Sequence, residues 1–308
     1  MKTLDGAACP PYLYERRNKQ KTMANLLAHK TAQEPFDLHL HSNCSDGSDT
    51  PAQVVRAASE RGVTMLALTD HDNVLGVPEA MAEAAKIGVR FLPSIEMDAE
   101  WSHEMHILGL DIDTQEPRMQ EALVIALRRR GERNREIVQR LLNIGCDIRE
   151  HLQGEIGAAT RLNIAIALVK GGFAADTRDA FAKYLRRGCP GFYTVERFSP
   201  ETIVQLILGA GGVPVWAHPM NGHADPHKVA PMLKELGLMG MEGFHPSLSE
   251  GDSVVITSIA RQMGLIVTCG SDYHGDHRPA VVPGQTWRDT ALLHQTREFL
   301  EARPQRAL

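Results

Sequence analysis

The chain has 308 residues, 43% of them hydrophobic, enough to bury the core of one α/β barrel or of two smaller domains. Its formal charge of −5 disfavours nucleic acid held by bulk electrostatics, which needs many Lys and Arg contacts to phosphate, and fits a small phosphorylated substrate better. Five cysteines (Cys9, Cys44, Cys146, Cys189, Cys269) without CxxC spacing argue against a disulfide framework or a thiolate zinc site. With no apolar stretch of ~20 residues and no secretory-signal order at the N-terminus, the expected setting is cytoplasmic, away from membranes.

Residues 1–35 mix prolines, charges and short apolar pieces and read as a poorly ordered extension, with Met23 as an alternative start. From Phe36 short apolar runs alternate with amphipathic stretches, the pattern of strands feeding helices in a largely parallel sheet or barrel. Thr50 and Pro51 start a helix that Gly62 ends, and Val63 to Leu68 reads as a buried strand. Pro78 to Ile87 repeats the helix, closed by Gly88, before strands at Val89 to Leu92 and Ile107 to Ile112. Between Thr114 and Phe198 only helical periodicity remains, as in Glu121 to Asn143. The strand rhythm resumes after a helix capped by Ser199 and Pro200, with strands at Val213 to Ala217, Leu238 to Phe244 and Leu265 to Cys269. The expected organisation is an N-terminal extension (1–35), a first barrel part (36–113), a helical insertion acting as a lid (114–198), a second barrel part (199–293) and a C-terminal tail (294–308).

In parallel barrels the active site is built where strands end. The polar residues at those ends are nearly all metal-ligand types. The first strand ends in His39, Leu40, His41, whose alternation points both imidazoles to one side, and Asp46 follows in a turn. Later strands deliver His71 after Thr69 and Asp70, then Glu96, His106, His218, and Asp272 with His274. Each has an ordinary alternative: an isolated HxH pair is a weak motif, Asp70 and Asp272 suit turn caps, and His106 suits a strand. Nine such residues recurring at one face favour a shared metal site. Imidazole with carboxylate suits Mn, Fe or Zn. A pair of ions about 3.5–4 Å apart, bridged by Glu96, would hold a hydroxide for in-line attack on phosphorus.

His39-Leu40-His41-Ser42, Ser45-Asp46-Gly47, Thr69-Asp70-His71, Glu96, His106-Ile107-Leu108-Gly109, Ala217-His218-Pro219 and Gly270-Ser271-Asp272-Tyr273-His274 resemble, in order, the motifs of the polymerase-and-histidinol-phosphatase (PHP) superfamily. Within it the chain is similar to bacterial proteins named after a tryptophan-region gene product, which include nucleoside 3′,5′-bisphosphate phosphatases and 5′-to-3′ exoribonucleases. The stretch Phe181 to Tyr193 resembles their return from a helical insertion. The resemblance implies an α/β fold, a distorted (β/α)7 barrel with a helical insertion domain. It also implies two or three divalent ions, Mn²⁺ foremost and Fe²⁺ or Zn²⁺ as alternatives.

The ion sets so implied are His39, His41, Glu96 and Asp272; Glu96, His106 and His218; and Asp46, His71 and His274. Glu96, Asp272 and His245 are the expected catalytic residues, with His245 either meeting phosphate or lying as a turn histidine. Arg161, Asn163 and His245 are the expected substrate contacts. Members of the family it resembles often carry Gly-Arg-x-His where this chain has Thr160-Arg161-Leu162-Asn163, which puts substrate preference rather than metal binding in question. The arginines Arg128, Arg129, Arg130, Arg133 and Arg135 read either as a solvated face or as an attractor of polyanionic substrate. The expected reaction is hydrolysis of the 3′-phosphate of a nucleoside 3′,5′-bisphosphate, with short RNA ends as a further substrate and no dedicated protein partner. The alternatives are histidinol phosphate phosphatase, short-RNA exonuclease, polymerase-type proofreading nuclease, cyclic phosphodiesterase and a non-catalytic nucleotide-binding module.

Overall fold

The computed structural model describes residues 34–102, 105–152, 156–221 and 224–306, so the expected extension lies outside them except for Glu34 and Pro35. The fold is mixed α/β. A parallel sheet is built from β1 (Phe36–Leu40), β2 (Met65–Leu68) and β3 (Arg90–Pro93), in that order. Each strand is preceded or followed by a helix that its own sequence punctuates. Helix α1 (Pro51–Glu60) starts in a capping box in which Thr50 and Gln53 satisfy each other's backbone N–H, and Pro51 occupies the position where a missing N–H costs nothing. Helix α2 (Val77–Ile87) ends on Gly88 in the left-handed region at φ 78°, which glycine adopts without a Cβ penalty.

The second sheet runs β4 (Ile95–Asp98), β5 (His106–Leu110), β6 (Val213–Trp216), β7 (Gly240–Phe244), β8 (Ile266–Cys269). It differs from the expected parallel arrangement. Strand β5 pairs antiparallel with both β4 and β6, and only β6, β7 and β8 run parallel. An apolar run buried on both faces carries no signal of strand direction, and a single residue, Ser94, separates β3 from β4, so the two read as one strand in the sequence. The sheets meet at both edges, through the parallel bridges Leu40 to Tyr273 and His71 to Glu96.

Between β5 and helix α6 (Pro200–Gly209) the chain is helical: α3 (Pro117–Asn143), α4 (Arg161–Lys170), the short α5 (Thr177–Ala180) and a π-helical turn at Phe181–Leu185. Ile137, Leu141, Ile148, Ile164, Leu168 and Leu185 form an apolar cluster of their own here, separate from the core under the strands. Of the remaining helices, α7 (Pro226–Leu236) packs on α6 and α8 (Glu250–Gln262), while α8 and α9 (Ala291–Glu301) cover β7 and β8. No helix among the described residues is long and apolar enough to cross a membrane.

Candidate metal centre

The nine residues singled out at strand ends converge. His39, His41, Asp46, Glu96, His218, Asp272 and His274 are buried, and His71 and His106 are half-buried. Backbone hydrogen bonds set the loops that carry them. Asp37, two residues before His39 on β1, accepts the backbone N–H groups of Ser271 at 3.0 Å and Gly284 at 2.7 Å, pinning the loop of Asp272. Asp70 accepts from the Ser42 backbone at 2.8 Å and from the hydroxyls of Ser42 and Ser45 at 2.7 and 2.6 Å, which shapes the turn that presents Asp46. Burial raises the carboxyl pKa of both Asp37 and Asp70 against these hydrogen bonds. His218 and Asp272 sit in the left-handed backbone region, at φ 28° and 54°, a strain that non-glycine residues tolerate mainly at functional positions. Gly270 is required by close approach, since a Cβ there would meet both His39 and Glu242.

Glu96 organises the centre. Its Oε2 lies 3.3 Å from His39 Nε2, 3.3 Å from His41 Nε2 and 3.2 Å from His71 Nδ1. Its Oε1 lies 2.8 Å from His106 Nδ1 and 3.1 Å from His218 Nε2. Asp272 Oδ1 faces the first set, 3.6 Å from His39 Nε2 and 3.3 Å from His41 Nε2. Asp46 Oδ1 lies 3.2 Å from His274 Nε2 and 3.6 Å from His41 Nδ1, with His71 Nε2 at 3.7 Å from Oδ2.

These spacings have a simple meaning. Two atoms bound at about 2.1 Å to one ion lie about 3.0–3.4 Å from each other, from octahedral to tetrahedral angles. His39 Nε2, both ring nitrogens of His41, His71 Nδ1 and His274 Nε2 are buried without a hydrogen-bond partner, although carboxylate oxygens lie near them. Buried polar atoms are normally paired, so orphans that converge on ionised carboxylates fit ligands of a shared cation. Among the described residues, groups able to hold an ion are His41, Asp46, His71 and His274; His39, Glu96 and His218; His39, His41 and Asp272; His39, Glu242 and His245; and His71, Asp98 and His106.

The electrostatics agree with that fit. Burial opposes the charged imidazole of His39, yet Glu96, Glu242 and Asp272 outweigh it and hold its pKa well above the usual range. His41 is raised to about 9, against burial, by Asp272 and Glu96 beside it. Burial likewise disfavours charge on Asp46 and Glu96, but the surrounding histidines keep both well below the usual carboxylate range, as Arg278 and His274 do for Asp272. Protons on His39 and His41 thus stand where cationic charge is needed, whereas burial lowers the pKa of His218 and His274.

Other residues join the cluster without having been singled out in the sequence. Glu242, wholly buried in β7, places Oε1 3.1 Å from His39 Nδ1 and accepts the backbone N–H of His218 at 2.8 Å, so one carboxylate orients two imidazole-bearing positions. Asp98 lies 3.3 Å from His71 Nδ1 and 3.4 Å from His106 Nε2 and is paired with Arg130. Asp98 was findable, because it follows Glu96 by two residues and shares its strand face. Glu242 carries only the weaker signal of a carboxylate inside an apolar strand.

The expected substrate contacts separate. A cavity of about 320 Å³ opens over the centre, lined by Asp46, His71, Glu96, His106, His218 and Asp272, by Arg278 paired with Asp272, and by Arg130, Arg133, Arg161, Arg187 and Arg197 of the helical segment. Arg161 lines it. Asn163 instead accepts the Thr160 backbone N–H at 2.7 Å, closing the capping box of α4. His245 is buried with Nε2 3.3 Å from Asp272 Oδ2 and Nδ1 2.7 Å from the Ser247 hydroxyl. The arginine run divides by helical face: Arg128 pairs with Glu132 on the surface, whereas Arg130 and Arg133, one turn apart, are buried against the cavity. Burial, with Arg130 and Arg161 nearby, drives the pKa of Arg133 well below the usual guanidinium range.

Residues 37–152 match the PHP domain, and the chain belongs to that family of proteins. It is 35% identical to a 3′,5′-nucleoside bisphosphate phosphatase of Chromobacterium violaceum over 82% of this chain and 90% of that one. It is also 35% identical to the 5′-3′ exoribonuclease Rnm of Salmonella typhimurium, over 78% and 85%. Among solved structures it is similar to an amidohydrolase from Chromobacterium violaceum with bound sulfate, with a TM-score of 0.80 and 33% identity over 86% of this chain and 96% of the other.

If the centre holds ions, the metal-stripped protein gains stability when they bind. Mn²⁺ at one hundred times its dissociation constant should stabilise the fold by about 2.7 kcal/mol per site. A thermal melt with and without Mn²⁺ reads this as a rise in Tm, and an unchanged Tm would contradict a metal centre.

Proposed function

We propose that the protein is a metal-dependent phosphoesterase that removes the 3′-phosphate from nucleoside 3′,5′-bisphosphates, leaving the 5′-monophosphate. The observation that carries this reading is a floor of carboxylates and imidazoles, several with ring nitrogens buried beside carboxylates, beneath a wall of arginines. His39, His41, Glu96 and Asp272 would hold one ion, Glu96, His106 and His218 a second, and Asp46, His71 and His274 a third. A site of imidazoles and carboxylates without thiolate suits Mn²⁺, with Fe²⁺ or Zn²⁺ as alternatives. Bound there, such ions supply activation of a water molecule and neutralise charge on the phosphoryl group.

The chain's own residues then bind and orient. Arg133 and Arg197 have no carboxylate ion pair among the described residues, so a phosphate dianion in the cavity would meet uncompensated positive charge. Arg161 offers a planar guanidinium suited to bidentate contact with phosphate oxygens. His245 faces Asp272 rather than the cavity, and its part is to hold that carboxylate in place. The helical segment of residues 114–198 contributes Arg130, Arg133, Arg161 and Phe192 to the cavity and thus acts as the lid that limits substrate size, over a barrel of the PHP type. We place this chemistry in the cytoplasm, a reducing setting that suits scattered cysteines without CxxC spacing. A second reading, removal of nucleotides from the 5′ end of short RNA, is favoured by similarity to the Salmonella exoribonuclease.

Metal-stripped protein incubated with adenosine 3′,5′-bisphosphate should release phosphate and leave AMP only when Mn²⁺ is added. Glu96→Ala should lower that turnover more than about a hundredfold, beyond the 10–100-fold typical of losing a residue behind a ligand. Near-normal activity of the folded variant would sink the assignment, and cleavage of a short oligoribonucleotide in preference to the bisphosphate would favour the second reading.

Arg161→Gln should raise KM with a smaller effect on kcat. Losing a hydrogen bond to a charged group costs about 1.5–3 kcal/mol, or roughly 10–150-fold in affinity. Steady-state kinetics on the same bisphosphate decide it, and an unchanged KM would remove Arg161 from the phosphate contacts.

A further inference from the structure

The turn into α4 carries Thr160 and Asn163 on either side of the pair Arg161-Leu162. The two side chains form one device. Thr160 Oγ1 accepts the backbone N–H groups of Leu162 at 3.1 Å and Asn163 at 3.5 Å, and Asn163 Oδ1 returns the contact by accepting the Thr160 N–H at 2.7 Å. A hydroxyl also has one proton to donate. Two acceptors are in reach, Asn163 Oδ1 at 3.1 Å and Asp46 Oδ2 at 2.8 Å. The carboxylate is the nearer and the charged one, so it takes the proton.

That hydrogen bond joins two distant parts of the chain. Asp46 belongs to the turn after β1, Thr160 to the helical segment, and both are buried. Thr160 is itself held from behind. Asn134 of α3 donates Nδ2 to the carbonyls of Ile156 at 2.6 Å and Ala159 at 2.7 Å, and Arg133 donates to Asn134 Oδ1 at 3.0 Å. The other carboxylate oxygen of Asp46, Oδ1, faces His274 and His41, with the Ser45 hydroxyl at 3.3 Å.

We propose that Thr160 is a positioning residue for metal binding: its hydroxyl fixes Asp46 Oδ2, so that Oδ1 is presented to the ion shared with His41, His71 and His274. The inference rests on the ligand role proposed above for Asp46. It also makes the helical segment part of the metal centre, because the residue that orients one ligand is carried by the lid.

The test is titration of Mn²⁺ into metal-stripped full-length protein by calorimetry, with bound manganese counted after desalting and folding checked by circular dichroism. Thr160→Gly is the informative variant, since glycine is nearly as good an N-cap as threonine while the hydroxyl goes with the rest of the side chain; Thr160→Ser controls for the lost methyl. It should weaken one ion by about 10–100-fold, the usual effect of removing a partner behind a ligand. Thr160→Ser should restore wild-type affinity, and Asn163→Ala, which breaks the cap but keeps the hydroxyl, should bind Mn²⁺ as the wild type does. The proposal is overturned if Thr160→Gly binds like wild type while Asp46→Ala loses an ion, or if Asn163→Ala weakens binding as much as Thr160→Gly. Should Asp46→Ala keep every ion, the ligand role of Asp46 falls first and this inference with it.

Discussion

Glu96 is a buried carboxylate within reach of five imidazoles, those of His39, His41, His71, His106 and His218, and the rest of the structure accommodates that concentration of charge. An ionised carboxylate taken out of water costs several kcal/mol unless it is paired and hydrogen-bonded. Asp46, Asp98, Glu242 and Asp272 add further negative charge within the same small volume. Stability alone would be better served by apolar side chains of similar size, so the cluster points to a function that needs it. Cations of high charge are the economical solution, and the unpartnered ring nitrogens lie where such cations would bind.

The architecture follows from delivering these side chains to one place. Strand ends converge, and the residues at or just past β1, β2, β4, β6 and β8 reach a common centre from segments far apart in sequence. The antiparallel β5 brings His106 to the same level as Glu96 by pairing Asp98 with His106. Above this floor the helical segment supplies the opposite charge. A cavity acidic below and basic above suits a substrate whose phosphate is held by guanidinium groups on one side and by metal on the other.

Much of this was legible in the sequence, for identifiable reasons. Alternation on a strand put His39 and His41 on one face, and apolar runs ending in Asp, Glu or His marked where the ends meet; the structure brings all nine such residues together. The direction of β5 was hidden, because fully buried strands read alike in either orientation. Glu242 was hidden because nothing in Gly-Met-Glu-Gly-Phe distinguishes an orienting carboxylate from a chance one. Asn163 was expected at the substrate because of its place in a motif, yet local chemistry claims it: three residues after Thr160 it sits where a capping box needs an acceptor. The arginine run needed helical phase and packing to separate Arg128 from Arg130 and Arg133.

The central claim is that the buried charge around Glu96 is a metal centre, and anomalous diffraction at the manganese edge from crystals grown with Mn²⁺ tests it most directly. The account predicts peaks among His39, His41 and Asp272, and between His106 and His218, with Glu96 touching both, and a further peak beside Asp46, His71 and His274. Crystals soaked to saturation that show no peak in contact with Glu96 would contradict it.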